Sequence, residues 1–524
     1  MKWRTTIRPY SESSLEYRLR TGTHLEGLPR PFLLTNESTI QETWTETTVP
    51  REALVESLQI HNRDLGNETG AMLAERLRDP RSLVIITGQQ PGILGGAMLV
   101  SIKYAAAVRL AGEMEKRLKR PVIPIFWNHS EDHDLAEANT IASLDGSEIK
   151  HSRLPIPEEG RSLESVCFDA DAVDQLRTQA VAMGATEEIL PEEGETLSRA
   201  FSRQLLHLLP EFPIIHCEPF RIRGLLSSFH ADAVLQAADW NASISKQTTA
   251  LAEIGISAQV KVDHGEFLFL LDDRGVRRRL RREGNQYSCG DLTFSSVKHL
   301  LSWMADSPER VSCNVFARPL ALQRVFPIAA HVNGPGETAY FAQLHPVFEQ
   351  SGRQAPLNAL RPSLTVLREK EMKILAAQQE AILEPMVPVN EWPPAPTEVK
   401  ASVPLDVIRR PIEEGLEHLQ EWAGSEGRGI VAPFVQKTLE GLERACLSVA
   451  KQQDQESKAA RRQRRHLENW TWPDRKLQER VLGPIALFRD RAPMVLQKVL
   501  SEMQLFAAGH QVVLLEDQDM ENPA

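Results

Sequence analysis

The sequence predicts an α/β protein with a parallel central sheet, because one pattern of segments occurs twice. An apolar run over 83–86 precedes a glycine-rich loop, a helix with an apolar stripe over about 97–120, and a second apolar run over 121–127. Strand-like runs, a glycine loop and a helix recur within 311–350. Strand–helix–strand units have parallel strands and right-handed crossovers. Ligands bind such sheets outside the carboxyl ends of the strands, where both glycine loops are expected.

The remaining segments divide the chain into six parts. The first is an N-terminal arm with helices, the second and fourth form the α/β core, and the third is an α+β insertion. The fifth is a pair of long helices, and the sixth is a C-terminal helix and strand. In chain order, the predicted boundaries are 1–80, 81–150, 151–310, 311–363, 364–475 and 476–524.

The fifth part is predicted to be an antiparallel coiled-coil arm. One helix is expected from Leu364 to about Glu384, and a second from about Phe434 to Trp470, with a proline-rich linker between them. The second helix carries an apolar seam with the alternating four- and three-residue spacing of a heptad. The seam consists of Val435, Leu439, Leu442 and Cys446.

Composition excludes several classes of function. The chain has 60 Lys and Arg against 71 Asp and Glu, a net charge of −11, which argues against broad nucleic-acid binding. No apolar run is long enough to span a membrane, and the first residues lack the apolar stretch of a secretory signal. The five cysteines are scattered and form no CxxC pair, which is typical of reduced thiols in a cytoplasmic protein.

The first candidate site is the glycine loop that follows the 83–86 run. Backbone amides in such a loop can approach an anion, and two adjacent glutamine amides can bind a polar ligand. A tight turn without a ligand is the alternative, since the loop matches neither a Walker A motif nor GxGxxG. The candidate residues are Thr87, Gly88, Gln89, Gln90 and Gly92.

The second candidate site is an ionisable cluster that follows the 121–127 run. General acid–base chemistry or binding of a substrate ammonium is one interpretation. Acidic residues at a helix start are another, and a metal held by His129 and His133 is a third. The candidate residues are Trp127, Glu131, Asp132, His133 and Asp134.

The third candidate site is the second glycine loop with the helix that follows it. Glu337, Tyr340 and Gln343 recur every three residues, so they share a helix face below the loop. A capped surface helix is the alternative. Asn333, Gly334 and Gly336 complete this set. The basic run 277–282 is interpreted as a solvated surface, with phosphate binding as the alternative.

Taken in order, these segments resemble the bacillithiol-biosynthesis family of cysteine ligases. The resemblance rests on Thr87–Gly96 with Lys103, on Phe126 and Trp127 with Glu131–Asp134, and on Gly334–Tyr340 with Gln343 and Pro346–Glu349. It implies a Rossmann-like core similar to class I aminoacyl-tRNA synthetases, with connective insertions and a coiled coil that mediates homodimers. It also implies addition of cysteine to glucosaminyl-malate, forming an amide.

Amide formation from a free carboxylate requires activation, so the resemblance implies use of ATP, with ADP or AMP as product. Magnesium could enter with the nucleotide, whereas the cysteines supply no evident zinc site. The amides of 88–96 and Lys103 are candidate donors to phosphate, and Asp132 or His133 could deprotonate the attacking amine. Two alternatives remain: a non-catalytic nucleotide-binding assembly factor acting through its coiled coil, and a nucleotidyltransferase of the same fold class.

Overall fold

The computed structural model describes residues 5–8, 10, 14–21, 32–35, 47–145, 148–156, 160–263, 265–377 and 405–515. The chain divides into two compact units. The first comprises 1–143, 150–369 and 476–524, and the second comprises 144–149 and 370–475. The longer segment of the second unit begins at 370, and the boundary predicted from the sequence is 364.

The described residues form sixteen strands. They are β1 (Thr5–Arg8), β2 (Leu83–Gln89), β3 (Val122–Asn128), β4 (Thr140–Asp145), β5 (Glu148–Arg153), β6 (Ile215–Cys217), β7 (Leu268–Leu271), β8 (Arg277–Arg279), β9 (Arg281–Glu283), β10 (Gln286–Cys289), β11 (Leu292–Phe294), β12 (Val311–Cys313), β13 (Ile328–Asn333), β14 (Leu357–Leu360), β15 (Leu364–Arg368) and β16 (His510–Leu515).

Seventeen α-helices occur in the same described residues. They are α1 (Leu15–Thr21), α2 (Arg51–Asp64), α3 (Glu68–Glu75), α4 (Met98–Leu118), α5 (Leu135–Ala138), α6 (Ala170–Ala182), α7 (Leu197–Leu208), α8 (Ser227–Leu235), α9 (Ala237–Glu253), α10 (Val297–Asp306), α11 (Ala317–Val325), α12 (Pro335–Gln350), α13 (Glu369–Ala377), α14 (Leu405–Thr471), α15 (Gln478–Val481), α16 (Pro484–Phe488) and α17 (Ala492–Glu502).

The core of the first unit is a five-stranded sheet in the order β14-β13-β2-β3-β6. All four pairings are parallel, which confirms the predicted parallel core. Strands covered on both faces read as continuous apolar runs, and β3 is buried at every position. Both predicted glycine loops follow strands of this one sheet, so the two halves of the repeated pattern meet as expected.

The strand order places a topological switch point between β2 and β13. The chain runs from β2 to β3 and β6 on one side, then returns to β13 and β14 on the other. Loops at the carboxyl ends of strands diverge at such a point and leave a crevice for a ligand. The helices that follow these loops are α4, with Ile102 and Ala106 buried, and α12, with Ala339 and Leu344 buried.

Besides the two-stranded β4-β5 sheet, which has residues in both units, the described residues of the first unit form three smaller sheets. Two antiparallel sheets, β12-β7-β8 and β11-β10-β9, belong to the predicted α+β insertion and the segment after it. The third, β1-β16-β15, includes residues predicted to begin a long helix. That prediction is wrong for 364–368, because these residues pair in parallel with β16 and are mostly buried. The tertiary pairing overrides a local helical pattern.

The second unit is dominated by α14, which spans 67 residues. It contains the helix predicted over 434–470 but begins 29 residues earlier, at Leu405. Gly424 interrupts it with a φ of 59°. The proline-rich linker lies outside the described residues, so the antiparallel pairing stays a prediction. None of the described helices has both the length and the apolar composition required for a membrane crossing.

Gly88 is a position where β2 and β3 approach too closely for any side chain. A Cβ there would lie 2.5 Å from the carbonyl oxygen of Trp127 and 2.6 Å from Nε2 of His129. We predict that Gly88→Ala lowers the free energy of unfolding by about 1–3 kcal/mol, the usual cost of overpacking. Urea denaturation measures this change.

Gly112→Ala is the matched control, because Gly112 lies in α4 and a Cβ added there would meet nothing within 4 Å. This substitution should raise the free energy of unfolding by about 0.5–1 kcal/mol, since alanine favours a helix interior. A Gly88→Ala protein as stable as the wild type would show that the two strands can separate at little cost.

Candidate functional site

A cavity of about 760 Å³ opens at the switch point of the central sheet. Among the described residues that line it, eight are Lys or Arg and five are Asp or Glu. The cavity is therefore richer in cations than the acidic cluster in the sequence indicates. Its charged residues are Lys103, Lys261, Arg277, Arg279, Arg318, Arg361, Lys476, Arg480, Glu131, Asp132, Glu137, Asp263 and Glu337.

Lys103 joins the two halves of the switch point from the first turns of α4. Its Nζ donates to the carbonyl oxygen of Gly88 at 2.7 Å and to Oε1 of Gln89 at 3.1 Å. It also contacts both carboxylate oxygens of Glu337, at 2.9 and 2.8 Å. The side chain is only 1% exposed, so the ammonium exchanges its water for these acceptors.

Burial lowers the pKa of Lys103, and the carboxylate of Glu337 opposes that shift. An ammonium has three hydrogens, and three groups already accept them. Lys103 therefore reaches a bound ligand only by releasing Gly88, Gln89 or Glu337. Its predicted role as a phosphate donor stays a prediction, while its observed contacts join the end of β2 to the first turn of α12.

The start of α12 forms one wall of the cavity. Glu337 accepts the N–H of Gly334 at 2.8 Å, which caps the helix, and Gly336 also lines the cavity. Arg361 lies beside this turn, with its Nη1 2.6 Å from Oε1 of Glu479. Helix N-termini favour anions, and Arg361 adds a cation to the same wall.

The first glycine loop contributes Gln89 and Gln90 to the cavity, and Gln90 also donates to the carbonyl oxygen of Asp134 at 3.0 Å. Thr87 donates to the carbonyl oxygen of Val332 and serves the sheet. Gly92 lies outside the cavity lining, close to Gly96.

The predicted phosphate cradle at the amides of this loop is largely occupied by the protein itself. The N–H of Gly95 donates to Oε1 of Gln204, and that of Gly96 donates to Ile93. The N–H of Met98, at the start of α4, donates to the carbonyl oxygen of Leu482. The start of α12 is therefore better placed than the start of α4 to receive an anion.

Glu131 and Asp132 bring the acidic segment into the cavity. Glu131 is buried, and its Oε2 accepts from the hydroxyl of Ser312 at 2.8 Å and lies 3.6 Å from Nη2 of Arg223. Asp132 is more exposed, and its Oδ1 accepts the N–H of His133 at 2.7 Å. The two carboxylates thus differ in their surroundings: Glu131 is held by buried partners, and Asp132 borders solvent.

His133 and Asp134 do not line the cavity. Nδ1 of His133 accepts from Arg277 at 3.2 Å, which leaves the ring proton on Nε2. Burial and Arg277 lower the pKa of His133, against the effect of Asp132. Asp134 caps α5 by accepting the N–H of Glu137 at 3.2 Å, which is the helix-start interpretation of this residue.

The third candidate segment also has some residues that line the cavity and some that do not. Tyr340 lines the cavity beside Arg318, and the two side chains interact. Gln343 faces away and donates to the hydroxyl of Thr248 at 2.8 Å, linking α12 to α9. Asn333 donates to Oδ1 of Asn358 at 2.9 Å inside the sheet. Trp127 lines a small separate cavity and not the cavity at the switch point.

None of the five arginines in the lining is among the candidate residues, and only Arg277 and Arg279 enter through the alternative for the basic run. Cζ of Arg277 lies 3.9 Å from the centroid of the Phe269 ring, and its Nε donates to the hydroxyl of Ser312 at 2.9 Å. It belongs to the basic run considered as an alternative phosphate site. Arg318 and Arg361 stand singly in apolar segments, and no local signal indicates their position at the cavity.

Two buried histidines, His129 in the cavity lining and His331 in β13, are neutral near pH 7. Burial, with Arg318 and Lys103 nearby, lowers the pKa of His129 well below its usual range and that of His331 to about 3. The part of the chain that the structure describes contains no group of three or more His, Cys, Asp or Glu side chains arranged for a metal ion.

The fold and the cavity define a class: a Rossmann-like α/β protein whose ligand site lies at a switch point and is lined by charges of both signs. Within that class, residues 34–362 match the family model described as bacillithiol biosynthesis BshC, N-terminal Rossmann-like domain. This match covers more than half of the chain. The chain belongs to the bacillithiol biosynthesis BshC family.

Three relatives bear the name "Putative cysteine ligase BshC". The protein of Solibacter usitatus is 30% identical over 62% of this chain and 62% of its own length. That of Geobacillus kaustophilus is 26% identical over 76% of this chain and 80% of its own length. That of Salinibacter ruber is 27% identical over 88% of each. The match thus spans about three fifths of the first relative and more of the other two.

The depressed pKa of His331 predicts a pH dependence of stability. Unfolding restores an ordinary pKa near 6.5, so below that pH the unfolded chain binds a proton that the folded chain, with a pKa of about 3, does not. Stability is therefore fully present above about pH 6.5 and falls toward pH 3, by about 1.4 kcal/mol per pH unit for this one group.

We predict that His331→Gln reduces the slope of unfolding free energy against pH by about that amount between about pH 6 and pH 4. Urea denaturation at several pH values gives the slope. An identical slope in the wild type and the variant would mean that His331 is protonated in the folded protein.

Proposed function

We propose that this protein is an ATP-dependent ligase that joins the carboxylate of cysteine to the amine of glucosaminyl-malate. The single observation that carries the proposal is the charged cavity at the switch point, in a chain of the BshC family. The names of the relatives support the cysteine-ligase activity. The protein would act in the cytoplasm, where ATP and reduced cysteine are present.

The charges of the cavity suit these substrates. Glucosaminyl-malate carries two carboxylates and one ammonium, cysteine carries one of each, and ATP is a polyanion. The seven cationic side chains other than Lys103 can balance those anions, while Glu131 and Asp132 supply carboxylates for the ammonium groups. A cavity for phosphate alone would have no need of two carboxylates on its wall, because they repel an anion.

The wall at the start of α12 is the proposed place for the phosphates of the nucleotide. Gly336, in the first turn of α12, lines the cavity, and Arg361 lies at the same turn. Lys476 and Arg480 add two cations. A magnesium ion would come with the nucleotide and balance phosphate charge, and these side chains would hold the remaining oxygens.

The reaction would proceed in two steps. An oxygen of the cysteine carboxylate attacks a phosphorus atom of ATP, giving an acyl-adenylate and pyrophosphate or an acyl-phosphate and ADP. The neutral amine of glucosaminyl-malate then attacks the acyl carbon, the C–N bond forms, and AMP or phosphate leaves with the carboxylate oxygen. The charge that develops on phosphate would be stabilised by Arg277 and Arg318.

Asp132 is the proposed acceptor of the proton that the amine loses. It lines the cavity, borders solvent and can return the proton to water. His133 is less suited in the observed arrangement, because Nδ1 is engaged by Arg277 and Nε2 carries the hydrogen. His133 would instead hold Arg277 at the rim.

We predict that Asp132→Asn lowers turnover by about 10²-fold or more, the range typical of an acid–base group, because asparagine keeps the shape but cannot take the proton. The assay follows thiol-containing amide product by mass spectrometry from cysteine, glucosaminyl-malate and ATP. Asp169→Asn is the control, since Asp169 caps α6 outside the cavity by accepting the N–H of Ala172 at 2.8 Å.

Near-full activity of Asp132→Asn would remove this residue from the reaction. Nucleotide binding by the wild type with no product would favour an assembly factor, and an adenylylated product with released pyrophosphate would favour a nucleotidyltransferase. The three outcomes are distinguished in the same reaction mixture.

We also propose that two chains associate through the seam of α14. Val435, Leu439 and Leu442 are partly buried in the single chain, while Ile430 and Phe434 nearby are exposed, so the helix presents apolar surface. A second helix packed along such a surface would remove it from water. The resemblance to a family of homodimers supports this proposal.

We predict that Leu439→Asp/Leu442→Asp converts a dimer to a monomer in sedimentation velocity, because buried carboxylates oppose the contact. Lys437→Asp is a matched control, since Lys437 is an exposed residue of the same helix away from the seam. A dimer that persists in the double variant would place the interface elsewhere.

A further inference from the structure

Arg223, Glu164 and Glu131 form a buried ion cluster beside the cavity. Of these three residues, only Glu131 belongs to a candidate segment of the sequence analysis. Nη1 and Nη2 of Arg223 contact the two carboxylate oxygens of Glu164 at 2.6 and 3.1 Å. Nη2 of Arg223 is also 3.6 Å from Oε2 of Glu131, which lines the cavity. The side chains of Arg223, Glu164 and Glu131 are 4%, 11% and 6% exposed.

The cluster fixes Arg223 from several directions. Besides Glu164, its Nη1 donates to the carbonyl oxygen of Glu309 at 3.2 Å. A bidentate arginine–carboxylate pair has a defined geometry, and burial excludes the water that would loosen it. Arg223 can therefore hold one oxygen of Glu131 in place, and the hydroxyl of Ser312 donates to the same oxygen.

Glu131 lines the cavity, and two arginines line it as well. Arg277 and Arg318 both lie close enough to Glu131 to interact with it electrostatically. A fixed carboxylate next to two guanidinium groups matches an α-amino acid, whose ammonium and carboxylate lie on one carbon. The amine of an amino sugar has no carboxylate beside it and gains nothing from those arginines.

We propose that Glu131 binds the α-ammonium of cysteine, and that Arg223 is a positioning residue that fixes the carboxylate of Glu131 for this contact. The inference rests on the proposed ligase function for the identity of the amino acid. It assigns different tasks to the adjacent acids: Glu131 holds the amino acid, and Asp132 takes the proton of the sugar amine.

Steady-state kinetics tests this assignment. Glu131→Gln should raise the KM for cysteine by about 10- to 100-fold, the effect of losing one charge-assisted contact. The KM for glucosaminyl-malate should change less than about 3-fold, and kcat much less than the KM for cysteine. Arg223→Met should act in the same direction, and Arg223→Lys, which keeps the charge, should restore most of the affinity.

A double-mutant cycle separates positioning from a general structural role. If Arg223 acts through Glu131, Arg223→Met should add less than about 2-fold to the KM for cysteine in a Glu131→Gln background. Arg221→Met is the matched control, because Arg221 pairs with Asp64 at the surface. If Arg223→Met does not fold, the cycle is run with Arg223→Lys, whose smaller increase should also vanish in the Glu131→Gln background.

Calorimetric titration of L-cysteine into the protein distinguishes this inference from the ligase function itself. Binding that depends on Glu131 and Arg223 without product would support the amino-acid site and overturn the ligase function. Product formation with equal KM increases for both substrates, or with additive effects in the cycle, would overturn the inference alone. Neither binding nor product would overturn both.

Discussion

The contact between Lys103 and Glu337 is the constraint on which the site depends. It joins α4, which follows β2, to α12, which follows β13, at the point where the strand order reverses. One buried ammonium satisfies a strand carbonyl, a loop amide and a helix-capping carboxylate together. Removing either charge would leave the other without its partner, which costs far more than a surface ion pair contributes.

This constraint also explains how the remaining charges are used. Since Lys103 and Glu337 neutralise each other, the charges of the cavity that can meet a ligand are the other cations of its lining and the acids after β3. The acids themselves differ, because Glu131 is held by buried partners and Asp132 is not. Under the proposed function, Glu131 can therefore bind substrate while the adjacent Asp132 accepts a proton.

The core of the fold could be predicted from the sequence because its signals are local. Apolar runs identified β2, β3 and β13, glycine loops follow the first and the last of them, and the pairing rules placed both loops at one edge. The arginines of the cavity depend on contacts between distant segments, so no local pattern marks Arg318. Periodicity placed Tyr340 and Gln343 on one helix face, yet only Tyr340 reaches the cavity, because α9 covers the other.

The proposed ligase reaction depends on activation of the carboxylate of cysteine for attack by an amine. Isotope transfer tests it most directly, with cysteine labelled by ¹⁸O in both carboxylate oxygens and incubated with ATP and glucosaminyl-malate. We expect one ¹⁸O atom in the released AMP or phosphate for each amide formed, because the activated oxygen leaves with phosphorus. Amide product with no ¹⁸O in either phosphorus-containing product would contradict this claim.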